Sequence, residues 1–285
     1  PGPLGQNATV NYFPKTSYIN VLNESLTVND TLDFKKIRID RNWVNSKNDF
    51  NIYGEIMDTA RIDTFYRNIN NPSIFVGTIF KELLKKNGST VKHLSVISKN
   101  SDGYFDLIEH HSDSLLVSAK NLMNESDNLT AELFIKSIGA LDTLPGTWKT
   151  GLDSVKSFLA REVLIDTSNI RLADGSGVSR YNLTSSAQLI ELLKWMYKSD
   201  YKDDFIYTLP GGGWPKSTLE KRLTSEAGLV RAKTGGLSGA RNLAGYITSQ
   251  KYGDVAFSIL MNGYIGSSSK YTRLQNQIVK AVIYD

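Results

Sequence analysis

Leu229 to Tyr246 reads LVRAKTGGLSGARNLAGY, and this stretch decides how the rest of the chain is understood. It reads as a strand, a glycine-rich turn and the start of a second strand, with Lys233, Thr234, Gly235 and Gly236 in the middle. A cation, a hydroxyl and two residues without side chains make an anion grip. The ammonium and hydroxyl can hold a carboxylate, and the glycines let a substrate backbone come close. A strand edge at this point can also pair with an extended peptide, main chain to main chain. The string K-T-G also occurs in ordinary hairpins, so its meaning depends on what else the chain carries.

Working outward, Leu229–Thr234, Leu243–Thr248 and Val255–Met261 read as three strands of one meander, followed by a helix over about 271–283. Upstream the apolar spacing is helical. Ile74, Phe75, Ile79, Leu83 and Leu84 share a face, with Pro72 suited to a first turn and Gly88 past the end. Ser112 to Gly139 is helical again, but the polar run 124–128 (NESDN) breaks its apolar face, which predicts a helix junction or bend. Pro145 to Trp148 is a loop before a helix from Gly151 to about Leu164, and Asp174 to Gly177 (DGSG) is a tight turn. Thr184 to Lys198 is helical, and Pro210 to Pro215 reads as a flexible loop, either a lid over a cleft or a linker. Helices, then a strand meander, then a closing helix give an α+β fold, a helical cluster packed on an antiparallel sheet. Before it, from Tyr12 to about Asn70, stretches 17–23, 36–40, 50–56 and 61–66 alternate apolar and polar residues. The expected division is therefore a β-rich region over 1–70 and the helical and sheet domain over 71–285.

Composition narrows the classes of function. The chain has 285 residues, 40% apolar and 22% charged, which is globular composition. Its net charge of +4 is carried by scattered lysines, which argues against a nucleic-acid surface. The absence of cysteine removes disulfides, thiol catalysis and cysteine-ligated metals. Adjacent His110 and His111 point in different directions and make a poor metal site. No apolar run approaches the ~18 residues of a membrane span.

The second constellation is Ser126-Asp127-Asn128, at the break between two helical stretches. A serine hydroxyl can relay a proton, and an asparagine amide can hold a peptide carbonyl. S-D-N followed about a hundred residues later by K-T-G gives two of the three motifs of serine acyl-transfer enzymes that recognise penicillin. With the stretches 120–132 (KNLMNESDNLTAE), 145–148 (PGTW), 174–179 (DGSGVS) and 233–246 (KTGGLSGARNLAGY) in that order, the chain resembles the class C low-molecular-mass penicillin-binding proteins. These are bacterial serine-type D-Ala-D-Ala carboxypeptidases and endopeptidases. The resemblance implies a transpeptidase-like, β-lactamase-like fold, with the β-rich region belonging to an inserted domain. It implies peptidoglycan stem peptides as substrates, β-lactams as acylating ligands, no metal or organic cofactor, and a place outside the cytoplasmic membrane. It further implies that Ser126 passes a proton to the leaving amine and that Asn128 orients the acyl side of the substrate. Lys233 and Thr234 would bind the terminal carboxylate, with Gly235 and Gly236 alongside the substrate and Gly236 offering its N–H to the oxyanion. Asp127 would brace the loop, and Asp174 and Ser176 would shape a supporting turn.

The third motif, S-x-x-K, holds the acylating serine and its lysine base. Strings of that form start at Ser89, Ser199 and Ser267, and a run one residue too long joins Ser95 to Lys99. Ser89 follows a helix-ending glycine in what reads as the start of a strand, and the last two come after S-D-N, in the wrong order. The nucleophile needs a helix start that puts serine and lysine one turn apart on one face. The expectation is that it lies upstream of Pro1, on a longer polypeptide or on a companion fragment carrying S-x-x-K. The alternative of a different class is a peptidoglycan- or protein-binding module that keeps the carboxylate grip without acylation. A β-lactamase is a third reading, for which the chain offers no identifiable deacylating base.

Overall fold

Val230, Ala232, Leu243 and Ile247 fall on one face of the meander, and that face carries the principal core. In the computed structural model, residues 1–29, 35–96, 108–141 and 144–285 are described. They divide into two compact units, Pro1–Ile108 and Glu109–Asp285.

In the second unit three strands, β6 (Val230–Leu237), β7 (Ala240–Ser249) and β8 (Gly253–Asn262), form an antiparallel sheet in the order β6-β7-β8. Period-two alternation sets the two faces. The first meets the closing helix α7 (Ser269–Tyr284), where Val279 and Ile283 are fully buried against Val230, Ala232, Leu243 and Ile247. Each large aliphatic side chain buried here contributes about 1.5–3 kcal/mol. On the opposite face Tyr246 packs with Leu193 of α5 (Ser186–Lys198) and with Leu209, which follows α6 (Lys202–Thr208). The Tyr246 hydroxyl donates to the Leu193 carbonyl at 2.7 Å, and burial pushes its pKa up to about 12.

The other helices are α2 (Leu115–Glu125), α3 (Asn128–Ala140) and α4 (Trp148–Arg161). The expected break at 124–128 is thus a true junction between two helices. α3 and α4 meet backbone to backbone. A Cβ on Gly151 would stand 1.9 Å from the Ile135 carbonyl oxygen, and one on Gly139 would stand 2.4 Å from Thr150 Oγ1. α4 opens with a reciprocal cap between Thr147 and Thr150, and α5 with one between Ser185 and Gln188. The short helix α6, with Asp203 and Asp204 in its first turn, went unread in the sequence.

The Pro210–Pro215 segment departs from its expected character. Pro210, Gly211 and Gly212 are buried, and Gly213 N–H donates to Leu219 and Arg222 carbonyls, both at 3.0 Å. Its main chain is fixed because Gly211 lacks a side chain: a Cβ there would lie 2.5 Å from Trp214 Nε1. The segment is a packed turn rather than a flexible lid or linker.

In the first unit, β1 (Asn20–Asn23), β4 (Asp49–Tyr53) and β3 (Arg38–Arg41) form one small sheet, and β2 (Leu26–Val28) pairs with β5 (Glu55–Met57). The pairs β1·β4 and β2·β5 are parallel. Arg61–Tyr66, expected as a strand, forms none, and Ile62 and Tyr66 stand 94% and 89% exposed. Alternation alone does not make a strand without a neighbour to bond. Helix α1 (Pro72–Lys86) starts at Pro72 as expected, with Asn71 in a left-handed conformation (φ 48°) accepting from Ile74 N. It lies in the first unit, whereas the sequence reading grouped it with the helices after residue 71.

Candidate active site

The α2–α3 junction presents the S-D-N triplet. Ser126 closes α2 in the left-handed region (φ 59°, ψ 50°), an uncommon conformation for a residue with a side chain. The sharp turn leaves Ser126, Asp127 and Asn128 all exposed. Asp127 caps α3. Its carboxylate accepts from Leu129 N at 3.3 Å, from Thr130 N at 3.0 Å and from the Thr130 hydroxyl. The Thr130 hydroxyl leads the hydrogen bonds that hold the Asp127 carboxyl below its usual range, against a smaller opposing effect of burial. Asn128 is the first residue of α3. Just before the junction, Asn124 Nδ2 donates to the Lys120 and Thr208 carbonyls at 2.8 and 3.0 Å, and the Asn124 carbonyl accepts from Thr218 N at 3.0 Å. The end of α2 is thereby pinned to the last residue of α6 and to the segment after it.

Lys233 comes to this junction from the sheet. Its Nζ donates to Ser126 Oγ at 2.6 Å and to the Thr234 carbonyl at 3.0 Å. The two motifs, 107 residues apart, share one hydrogen bond. Lys233 forms no ion pair with an acid among the described residues, and burial pulls its pKa down to about 8. Desolvation disfavours the ammonium, and no carboxylate is at hand to restore it.

The sequence reading ended the first strand at Thr234 and put the glycines after it in a turn; the structure carries the strand on, so that all four residues from Lys233 to Gly236 lie inside β6. Their partners on β7 are Ala244, Leu243, Asn242 and Arg241. The reversal comes two residues later, at Ser238 and Gly239, where φ is 76° at the glycine. Two adjacent glycines misled the reading, because glycine in a strand also marks close backbone approach. Gly235 has room beyond an ordinary contact with Asn242, and a Cβ on Gly236 would stand 2.5 Å from Arg241 Nη1. β6 is an edge strand: its second side carries one bridge, Gly211 with Arg231, and the bond from Ala232 N to the Pro210 carbonyl at 2.9 Å. From Lys233 onward that side is unpaired among the described residues, the arrangement that receives an added strand.

Glu132 is a supporting residue the sequence reading missed. Its Oε2 accepts from Trp148 Nε1 at 2.8 Å and Gly175 N at 3.0 Å, and its Oε1 from Ser176 N at 3.0 Å. Burial pushes its pKa up, but the bonds from Ser176, Gly175 and Trp148 together hold the carboxyl below its usual value. One carboxylate on α3 thus anchors both the start of α4 and the D-G-S-G turn. Asp174 closes that turn, accepting from Gly177 N at 2.7 Å, Ser179 N at 2.6 Å and Asn182 Nδ2 at 2.8 Å. Arg180, which follows it, donates to the Ser238 carbonyl at 2.8 Å and fixes the tip of the β6–β7 hairpin. Local periodicity carries no signal for the Glu132 and Arg180 bonds, because their partners lie 43 or more residues apart, except for Trp148 at 16.

The S-x-x-K strings behave as chance matches. Ser89 stands in irregular chain rather than in the strand start read from sequence, Ser199 caps the end of α5, and Ser267 precedes α7. No hydrogen bond joins the serine hydroxyl of these three strings to its own lysine amine. Lys99 lies outside the described residues.

A serine at a helical joint is touched by a lysine from an open sheet edge, within an α+β fold of helices packed on an antiparallel sheet. That fold is matched over the whole chain by penicillin binding protein 4 of Haemophilus influenzae, solved with a β-lactam bound. The TM-score is 0.80 at 22% identity, and the match covers 67% of that chain. The chain belongs to the D-Ala-D-Ala carboxypeptidase 3 (S13) family, which residues 2–282 match. It is similar to a D-alanyl-D-alanine carboxypeptidase of Actinomadura sp. (strain R39), 33% identical over 224 residues, covering 75% of this chain and 41% of that protein. It is also similar to the D-alanyl-D-alanine carboxypeptidase DacB of H. influenzae, 28% identical over 205 residues, covering 69% and 42%. The chain therefore spans about two fifths of the length of the curated relatives it matches.

Proposed function

We propose that this chain supplies the proton-relay and carboxylate-binding half of a serine-type D-Ala-D-Ala carboxypeptidase or endopeptidase acting on peptidoglycan stem peptides outside the cytoplasmic membrane. The observation that carries the reading is the 2.6 Å contact between Lys233 Nζ and Ser126 Oγ beside an unpaired strand edge. A stem peptide would add to β6 as an extra strand, with its terminal carboxylate on Lys233 and the Thr234 hydroxyl. Asn128 would hold the acyl-side carbonyl, Gly235 would leave room for the peptide backbone, and the Gly236 N–H would face the oxyanion. Ser126 would carry the proton to the departing D-Ala amine. Glu132, Asp174 and Arg180 position the walls of this cleft without touching the substrate. The acylating serine and its lysine are assigned to S-x-x-K on sequence outside this chain, in the same polypeptide or a companion fragment, and β-lactams would acylate that serine.

The test is fluorescent penicillin labelling of the longer polypeptide, or of this chain reassembled with its companion. Covalent label on the S-x-x-K serine, slowed about 10²–10³-fold by Lys233→Ala, is the expected result. A folded protein that contains the motif and takes no label overturns the proposal and favours a non-acylating binding module.

A further inference from the structure

The Ser126–Lys233 pair contains what a serine nucleophile needs, within this one chain. Ser126 is exposed, so a reagent can reach it, and it sits in a left-handed conformation between two helices. Lys233 Nζ stands 2.6 Å from Oγ, inside the reach a general base requires. No acid among the described residues pairs with Lys233 to hold it charged. The contact is held from both sides: α2 is pinned by Asn124, and Lys233 is fixed in β6 by its register with Ala244. We propose that Ser126 and Lys233 form a self-contained serine–lysine dyad that cleaves small activated acyl esters by way of an acyl-Ser126, independently of any nucleophile outside the chain.

The neutral Lys233 amine takes the proton of Ser126 as Oγ bonds to the ester carbonyl carbon. The bond from that carbon to the leaving oxygen breaks, and the leaving alkoxide or phenoxide takes the proton from the Lys233 ammonium. Water then attacks the acyl-Ser126 carbonyl, the Oγ–carbon bond breaks, the carboxylic acid leaves, and Oγ regains a proton. The net change is ester plus water to acid plus alcohol. With a phosphonofluoridate the first step is the same attack on phosphorus, fluoride leaves, and the adduct remains.

The experiment uses the 285-residue chain itself, treated with a fluorophosphonate probe and mapped by peptide mass spectrometry, alongside hydrolysis of p-nitrophenyl acetate. One adduct per chain is expected, on Ser126. It should be lost in Ser126→Ala and formed about 100-fold more slowly in Lys233→Met. Because the amine must be neutral, the rate should rise through about pH 8 and be about 100-fold lower at pH 6 than on the alkaline plateau. A label on another residue, an unchanged rate in Lys233→Met, or a rate flat across this range overturns the dyad. Should Lys233→Met not fold, Ser126→Cys gives a second reading: its alkylation by iodoacetamide should outpace that of the same cysteine in Lys233→Arg at pH 7. Equal rates overturn the proposal. A longer protein that takes penicillin on its S-x-x-K serine, while the chain takes no phosphonate on Ser126, keeps the proposed function and loses this inference.

Discussion

Replacing Glu132 by glutamine tests whether one carboxylate holds two loops of the cleft wall. Three N–H donors converge on it, from Trp148, Gly175 and Ser176, at 2.8, 3.0 and 3.0 Å. An amide has one acceptor oxygen. Glutamine serves best with that oxygen in the Oε2 position, facing Trp148 and Gly175, which turns its NH₂ toward the Ser176 N–H. One charge-assisted bond, worth about 1.5–3 kcal/mol, becomes a donor facing a donor. Because Glu132 is only partly buried, solvent recovers some of that loss, and the expected destabilisation is about 2 kcal/mol. The sign with pH follows from the lowered carboxyl pKa. The unfolded carboxyl, near 4.5, binds protons more readily than the folded one, so its contribution is full above pH 4.5 and fades as pH falls through the folded value. Urea unfolding followed by tryptophan fluorescence should show the deficit at pH 7 and a smaller one in acid. A variant within about 0.5 kcal/mol of the parent at pH 7, or a gap that persists undiminished in acid, refutes this account. Hydrogen exchange at the Gly175 and Ser176 amides should quicken in parallel.

Three further outcomes follow from the same structure. Gly151→Ala pushes a methyl group into the Ile135 carbonyl, where a Cβ would stand 1.9 Å from the oxygen; α3 and α4 must part, at a cost of about 2–3 kcal/mol in urea unfolding. Lys280→Met removes the counter-ion of the buried Glu226 carboxylate, whose Oε1 lies 3.1 Å from Lys280 Nζ and accepts from the Tyr284 hydroxyl at 3.4 Å, and whose Oε2 has no described partner. The lysine end is half exposed, so the loss should fall at the low end for a broken buried pair, about 3 kcal/mol, and Glu226→Gln in the same background should recover part of it. Binding of N-acetyl-D-alanyl-D-alanine, followed by calorimetry, should weaken by up to about tenfold per pH unit above about 8 as Lys233 loses its proton; an affinity flat from pH 7 to 10 contradicts the carboxylate grip.

Much of the second unit was legible because its signals are local. Amphipathic spacing marks the helices and alternation marks the β6–β8 meander, whereas the caps at Thr147 and Ser185, which set the starts of α4 and α5, went unread. The polar run 124–128 announced the α2–α3 junction because exposed polar residues cannot extend a buried helical face. The misses share one cause, which is that pairing lies beyond local pattern. Residues 61–66 alternate but find no partner, and the double glycine after Thr234 imitates a turn while lying in register with Asn242 and Arg241. Pro210 to Pro215 has loop composition, yet its first three residues are buried and Gly213 N–H is bonded to the chain that follows. At the site, Ser126 and Lys233 were singled out from motif order, but the carboxylate of Glu132, which joins three distant segments, has no sequence period to announce it.

The protonation of Lys233 links the two activities proposed for this chain and sets them in opposition. As an ammonium it can hold a carboxylate and lend a proton through Ser126, but it cannot take the Ser126 proton. As an amine it can activate Ser126 but has lost its charge for the carboxylate. Burial places the crossover at about pH 8, so both forms are populated near neutrality. A carboxylate docked on Nζ favours the ammonium and moves the crossover upward. A peptide seated on β6 should therefore silence Ser126 as a nucleophile and leave it as a proton carrier, the role assigned to it when another serine is acylated. The 2.6 Å contact thus gives a nucleophile in the empty cleft and a relay in the filled one, and a D-Ala-D-Ala peptide should slow phosphonate labelling of Ser126 in proportion to its occupancy.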